Sequence, residues 1–473
     1  MSSPWRTFAM VSVGVFAASL DLFVVNIAMP ELVADFGHAA GGSGSGLAQL
    51  SWVLNGYAIV YAALLVPAGR IVDLYGRRRG FVVGVTLFTV ASAACALAPS
   101  AGLLIAARLV QGAGAAILTP SSLGVVLPAF PARSRPAVIA AWAATGAVGA
   151  AAGPPLGGLL TELSWRWIFL VNVPLGVVSA IYAARRLPET RDPAAGRLPD
   201  PVGILALMAG IAALVLALVK GREWGWTSGQ VLVSAAGAVT LLAVAVVRSR
   251  RHPAPALELP MLRVPSFALA VASAAAFFAG FGAMLLAGVL YLTQVWGHSV
   301  LRAGLELAVG PLLAMLAAVV ASRLGPRVGM AHLGAVGGVL VAAGIALNAA
   351  RLGLEPDFVR DYLPGQVLTG TGVGLSMPAF TAVAVSAVPA TRFATAIGLS
   401  SAFRQIGATL GVAAFVALVG SPARDRAVAA YQDGWTFMTV AALLGAGLML
   451  ATRWFALPAA PVEGTPTAAA STS

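Results

Sequence analysis

"GRIVDLYGRRRG", Gly69 to Gly80, lies between two long apolar runs and holds five charged residues in twelve positions. The surrounding chain of 473 residues is only 10% charged and 59% hydrophobic, with a mean hydropathy of +0.90. Soluble domains are about a quarter charged. A chain this oily suits a bundle of helices in lipid, where outward-facing positions need no polar cover. Charge gathered between apolar runs is then a topology signal, and Gly69–Gly80 reads as a short loop on the cytoplasmic face.

Working outward from that loop, windows of about 20 apolar residues give about fourteen spans. They fall near 8–30, 49–69, 80–98, 102–127, 137–160, 167–185, 200–219, 230–248, 266–293, 303–322, 331–350, 362–385, 394–419 and 435–455. With the N-terminus inside, about 19 of the 29 basic residues fall on the cytoplasmic side, about 8 outside and two within spans. That bias puts both termini in the cytoplasm of a multi-pass cell-membrane protein. The run at 8–30 is too long for a signal-peptide core and contains Asp21 and Asn26, so it is expected to be retained as a helix.

The net charge of +12 does not point to nucleic acid. All but one of the basic residues are Arg, spread in short clusters rather than one patch. Cys95, the single cysteine, lies in an apolar run and reads as a small buried hydrophobe, with no intrachain disulfide.

A faint echo of the opening stretch recurs as "ASRLGPRVG", Ala321 to Gly329. Each copy follows the second helix of a six-helix half, and transporters are often built from such repeats. The expected architecture is an all-α integral membrane protein. It has an N-terminal half over 1–186, two inserted helices over 187–252, a C-terminal half over 253–457 and a disordered tail over 458–473.

Asp21 is the one acid of 17 placed deep in a span. At 1.5 Å per residue it lies roughly 20 Å from the inner face. Arg108, entering from the other side, reaches the same level of a core about 30 Å thick. Intramembrane charges are costly and are usually paired or functional. Desolvation favours a neutral acid and a neighbouring guanidinium favours the carboxylate, so a conformational change altering either can load or release a proton. A static ion pair between helices one and four is the competing reading. Arg404, the second deep base, either faces a central cavity or bonds backbone carbonyls at a helix break.

Six stretches together resemble the major facilitator superfamily, in its fourteen-span drug:proton antiporter branch. The 69–84 segment resembles the loop motif between helices two and three, carried by Gly69, Asp73, Gly76, Arg77 and Arg78. "LDLFVVNIAMP" (20–30) resembles the first-helix motif, with Phe23 where Thr is common. "LIAARLVQGAGAA" (104–116) is similar to the fourth-helix motif and "GAVGAAAGPPLGG" (146–158) to the fifth-helix antiporter motif. "WRWIFLVNVPLG" (165–176) and "FRQIGATLGVA" (403–413) match as well.

The resemblance implies two six-helix halves with two extra central helices, and a monomer that exchanges protons for a small amphipathic or hydrophobic substrate, driven by the proton gradient without a cofactor. It implies a gate at the 69–79 loop, where Gly69 allows close helix approach, Gly76 permits the turn and Asp73 faces a neighbouring helix N-terminus. The competing reading is that the Arg triplet only sets topology and binds anionic headgroups. For the fifth helix it implies a seal and pivot favouring export. Gly149, Gly153 and Gly157 make a smooth packing face beside Gly158, and Pro154 and Pro155 are expected to kink the helix. Ordinary small-residue packing explains the glycines alone.

For a substrate cavity the candidates are Asn26, Asn55, Tyr57, Gln111, Gln294 and Arg404, with aromatics from spans two and nine alongside. Proton-coupled uptake of a nutrient is the alternative on the same fold. A membrane enzyme or metal site is disfavoured, because all four histidines (His38, His252, His298, His332) are expected in loops. No "GxxxxGK[ST]" motif appears, which removes ATP-driven transport.

Overall fold

The computed structural model describes residues 4–36, 43–131, 134–191, 199–255, 257–388, 393–420, 422 and 424–455. The expected tail at 458–473, His38, Arg133, Arg197 and Arg392 lie outside the described residues. Among the described residues the chain forms α-helices and no strand.

In the first half these are α1 (Pro4–Ile27), α2 (Met29–Phe36), α3 (Ser43–Tyr75), α4 (Arg77–Ala96), α5 (Ala101–Val126), α6 (Arg135–Leu163), α7 (Trp167–Leu170) and α8 (Asn172–Arg186). A hairpin follows, α9 (Pro201–Trp224) and α10 (Gly229–Arg251). The second half holds α11 (Pro265–Leu290), α12 (Val300–Leu307), α13 (Val309–Val328), α14 (Met330–Arg351), α15 (Leu363–Ser386), α16 (Phe393–Val419) and α17 (Arg424–Ala451).

Among the described residues thirteen helical segments are long and apolar enough to cross a membrane, and the 29-residue α6 stands where the fifth expected span belongs. Helix starts are marked by side chains that take up otherwise orphaned amides: Ser100, Ser228 and Ser299 accept from the third residue beyond, and Asp200 from the second.

The halves repeat one packing pattern. α4 packs on α5 as α14 does on α15, α3 on α5 as α13 on α15, and α1 on α6 as α11 on α16. Across the halves α6 meets α12, α3 meets α16 and α1 meets α11, as a two-fold axis between them requires. The α9–α10 hairpin sits outside this arrangement, with α9 against α3 and α16.

The loop expected over Gly69–Gly80 is far shorter. α3 runs on to Tyr75 and α4 starts at Arg77, leaving Gly76 alone between them. Gly76 has φ 125, a backbone that side-chain-bearing residues rarely adopt, and this lets one residue reverse the chain. Its polar neighbours continue the helices beyond the apolar layer. The "VDLYG" echo is structural too: Gly329, with φ 91, breaks the chain between α13 and α14. His332, expected in a loop, lies in the first turn of α14.

Candidate functional site

Packing of α1 against α5 and α8 brings the deep charges together. Arg108 Nη1 donates to Asp21 Oδ2 at 2.5 Å, with the two side chains 1% and 0% exposed. The same nitrogen donates to Gln111 Oε1 at 2.6 Å, and Nε donates to the Val53 carbonyl at 3.0 Å. Gln111 Nε2 donates to Asp21 Oδ1 at 2.9 Å and to Ser92 Oγ at 2.7 Å. Asn172 Nδ2, from the start of α8, reaches Asp21 Oδ1 at 3.0 Å. α1, α5 and α8 thus meet at one carboxylate, and α3 and α4 hold its Arg108 and Gln111 partners.

Buried polar groups must be partnered, and a lone charge here would be prohibitive. Removing one partner of such a pair costs about 3–5 kcal/mol. A carboxylate needs these donors, whereas a neutral acid has fewer acceptor demands and tolerates their withdrawal.

An aromatic wall adjoins the pair. The Arg108 guanidinium carbon lies 4.1 Å from the Tyr57 ring centre and 5.8 Å from that of Phe169. Tyr57 stacks on Tyr61 at 6.1 Å and 8° between planes, and Tyr61 Oη lies 3.3 Å from Thr119 Oγ1. A cavity of about 120 Å³ lies here, between α1, α3, α5 and α6, on the Gly76 side of Asp21.

α6 carries two close-packed faces. A Cβ on Gly149 would stand 2.8 Å from the Phe16 carbonyl, one on Gly153 2.6 Å from Phe23 Cβ, and one on Gly157 3.0 Å from Ile27 Cβ. All three neighbours belong to α1. A Cβ on Gly158 would meet Leu301 Cα at 3.0 Å, and one on Gly304 would meet the Pro154 carbonyl at 2.5 Å. That second face joins the halves, on the far side of Asp21 from Gly76. The Pro154–Pro155 pair, expected to kink the helix, lies inside an unbroken α6.

At the Gly76 turn the roles differ from expectation. Among the described residues Asp73 is bonded within the turn, where Arg77 Nε donates to its Oδ1 at 2.8 Å. The cap of α4 is Glu189, whose carboxylate accepts the Arg78 amide at 3.1 Å and the Arg79 amide at 3.2 Å. Arg78 also donates to the Ala184 carbonyl, tying the turn to the end of α8, and Arg70 pairs with Glu258 beyond α10. Gly69 is not at a tight approach, since a Cβ there would touch Pro120 at an ordinary 3.5 Å.

The paired halves and the buried Asp21–Arg108 centre, flanked by matched glycine turns, point to one family, and the Major Facilitator Superfamily model matches residues 11–412. The chain belongs to the Major Facilitator Superfamily. It is 37% identical to the multidrug resistance protein Stp of Mycobacterium tuberculosis over 438 residues, covering 89% of this chain and 78% of that protein. It is 32% identical over 443 residues to a probable actinorhodin transporter of Streptomyces coelicolor, covering 91% and 75%. A crystal structure of a D-xylose–proton symporter superposes with a TM-score of 0.70 over 97% of this chain and 98% of that one. At 14% identity this last likeness shows the superfamily fold alone.

Of the residues expected to line a substrate cavity, Tyr57 lines the cavity between α1, α3, α5 and α6. Gln111 instead belongs to the charge centre. Asn26 bonds its own helix at the Leu22 carbonyl, 3.1 Å away. Asn55 is buried with both amide atoms unpartnered. Gln294 is exposed in a π turn at Tyr291–Val295, apart from the others. Arg404 donates to Ser401 Oγ at 2.9 Å rather than to a carbonyl, and its guanidinium lies 5.5 Å from the Phe278 ring centre.

Sequence reasoning missed Ser92, Asn172 and Glu189. Asn172 stood inside a quoted superfamily stretch as a lone amide among apolar residues, which was the available signal. Ser92 offered none, because a hydroxyl that bonds its own helix, here at Phe88, is tolerated at any depth.

Proposed function

We propose that this chain exports drug-like compounds, small and amphipathic or hydrophobic, in exchange for protons. The observation that carries the reading is the fully buried Asp21–Arg108 pair in a chain whose relatives are named as resistance and export proteins. In the cycle, Asp21 takes a proton from one side when Arg108 withdraws, and releases it when substrate binding favours the closed pair. Arg108, held by Gln111 and the Val53 carbonyl, sets which form prevails. No cofactor takes part, and the proton gradient supplies the work.

The contacts of α6 with α12, and of Phe23 with Phe281 at 6.3 Å, lie at or beyond the level of Asp21 and join the two halves there. The protein works as a monomer in the cytoplasmic membrane, with both termini and the Gly76 turn in the cytoplasm. The Gly149/Gly153/Gly157 face seals α6 on α1, which favours export over uptake.

The test is accumulation of a panel of dyes and antibiotics in a susceptible host expressing the chain. Expression should lower accumulation of at least one compound, and a protonophore should restore it. Lowered accumulation that persists with the gradient collapsed would remove proton exchange; raised accumulation would reverse the direction.

A further inference from the structure

Among the described residues, the lining of the cavity beside Asp21 carries no charged group. It is lined by Val15, Ala18, Ser19 and Leu22 of α1, Tyr57 and Tyr61 of α3, Thr119 of α5, and Trp142 and Gly146 of α6. Its walls are flat: two nearly parallel tyrosine rings, with an indole among the lining groups. Two of the three aromatic polar tips are already engaged, Tyr61 with Thr119 and Trp142 Nε1 with Ser122 Oγ at 2.9 Å. The Tyr57 hydroxyl is fully buried and has no partner. Buried hydroxyls are rarely left so, and a hydrogen-bonding group that enters the cavity would supply the missing partner.

Tyr57 also faces the charge centre, since its ring lies under the Arg108 guanidinium at 4.1 Å. A cation over a desolvated tyrosine face is held by about 2 kcal/mol. One ring is therefore both a wall of the cavity and a support of the ion pair.

Resting on the export reading above, we propose that this cavity is the subsite for a neutral, planar aromatic ring of the substrate bearing a hydroxyl or carbonyl, and that Tyr57 transmits its occupancy to Asp21. A ring stacked in the cavity and bonded to the Tyr57 hydroxyl holds Tyr57 under Arg108. Arg108 then stays on Asp21, the carboxylate is favoured, and the proton leaves the Asp21 carboxyl for water. Tyr57 acts here as a positioning residue.

The probe is 2-naphthol, with decahydro-2-naphthol as the non-aromatic control, titrated into the purified full-length protein in detergent. Affinity is read by calorimetry and proton release by pH change in weak buffer. Wild type should prefer 2-naphthol by about tenfold or more and release protons on binding. Tyr57→Phe, which keeps the ring, should weaken binding several-fold and keep the proton yield at saturation. Tyr57→Leu should lose the aromatic preference and most of that yield. Trp142→Leu, on the α6 wall, should weaken binding with the yield at saturation unchanged, and it judges the subsite should Tyr57→Leu fail to fold.

Wild-type affinity and preference in both leucine variants would overturn the subsite. A full proton yield from saturated Tyr57→Leu would overturn the transmission. Absence of proton release from wild type itself would sink the exchange reading and the transmission with it, while the affinity ratios still decide the subsite.

Discussion

Gly76 and Gly329 occupy matching turns in the two halves. Their φ and ψ are 125 and 131 against 91 and 132, and each amide bonds the carbonyl four residues back. Around Gly76 stand Asp73, Arg77, Arg78 and the capping Glu189; around Gly329 a Cβ would meet only His332, at 3.4 Å. The same division runs through the membrane. α1 and α5 carry Asp21 and Arg108, whereas their counterparts α11 and α15 carry no acid or base. A repeated scaffold therefore bears its buried acid–base pair in one half only. Packing needs the symmetry; a single buried ion pair does not.

The largest effect is expected from breaking the charged side of this asymmetry. Asp21→Asn should abolish export against a gradient, reducing energised efflux at least a hundredfold while insertion and folded yield persist. Arg404→Gln, the deep base of the other half, should reduce efflux no more than about tenfold, because it pairs with a serine hydroxyl and no acid. Equal losses in the two variants, measured in the same vesicles, would erase the asymmetry. Next in size is Gly153→Leu. A side chain there displaces Phe23, opening the α1–α6 contact, so efflux should fall to background even where the protein is made. Normal export from Gly153→Leu would leave α6 without a sealing role.

Much of this asymmetry was legible in the sequence, and for a physical reason. A charge in an apolar run is too costly to be incidental, so Asp21 and Arg108 announced themselves, and helical rise set their common depth. The span count followed from hydropathy in the same way. Gln111, Ser92 and Asn172 were not assigned to the centre, because uncharged polar side chains inside a helix can satisfy themselves locally. Glu189 was hidden for the opposite reason: an acid just past a helix end looks like ordinary surface, and only the return of the chain to α4 makes it a cap. The Gly69–Gly80 loop was drawn too long because helices continue into water past the apolar layer, so loss of hydropathy does not mark their ends.

A finer division of the two turns comes from adding one methyl group to each. At Gly329, alanine meets an ordinary contact and bears only the backbone strain of its positive φ, about 1–3 kcal/mol. At Gly76 the same Cβ would stand 2.5 Å from Glu189 Oε1, pushing the carboxylate off the α4 amides as well. Gly76→Ala should therefore lower the thermal unfolding midpoint more than Gly329→Ala, and Glu189→Gln should recover part of that difference by weakening the cap in advance. Matching midpoints for the two alanine variants would mean that Glu189 adds nothing beyond the shared turn.

The smallest effect is expected outside both halves, at the hairpin. Asp200 caps α9 through the Val202 amide at 3.2 Å and grips the end of α10, where Arg248 Nε and Nη2 each donate at 2.8 Å. The Arg248 fork holds the Asp200 carboxyl below the usual carboxylate range. A depressed folded value contributes stability that is fully present above the unfolded value of about 3.9, and is lost as pH falls through the folded one. From pH 8 to 5, then, this clamp should not vary. Asp200→Asn should lower the unfolding midpoint at pH 7 by a few degrees, and the gap to wild type should close once the pH is well below 4. Efflux should stay within about twofold, since the clamp joins α9 to α10 and touches neither the charge centre nor the α6 seal. If Asp200→Asn instead stopped export while the hairpin stayed folded, the inserted helices would belong to the transport cycle, and the contrast between the two halves would have to include a third participant.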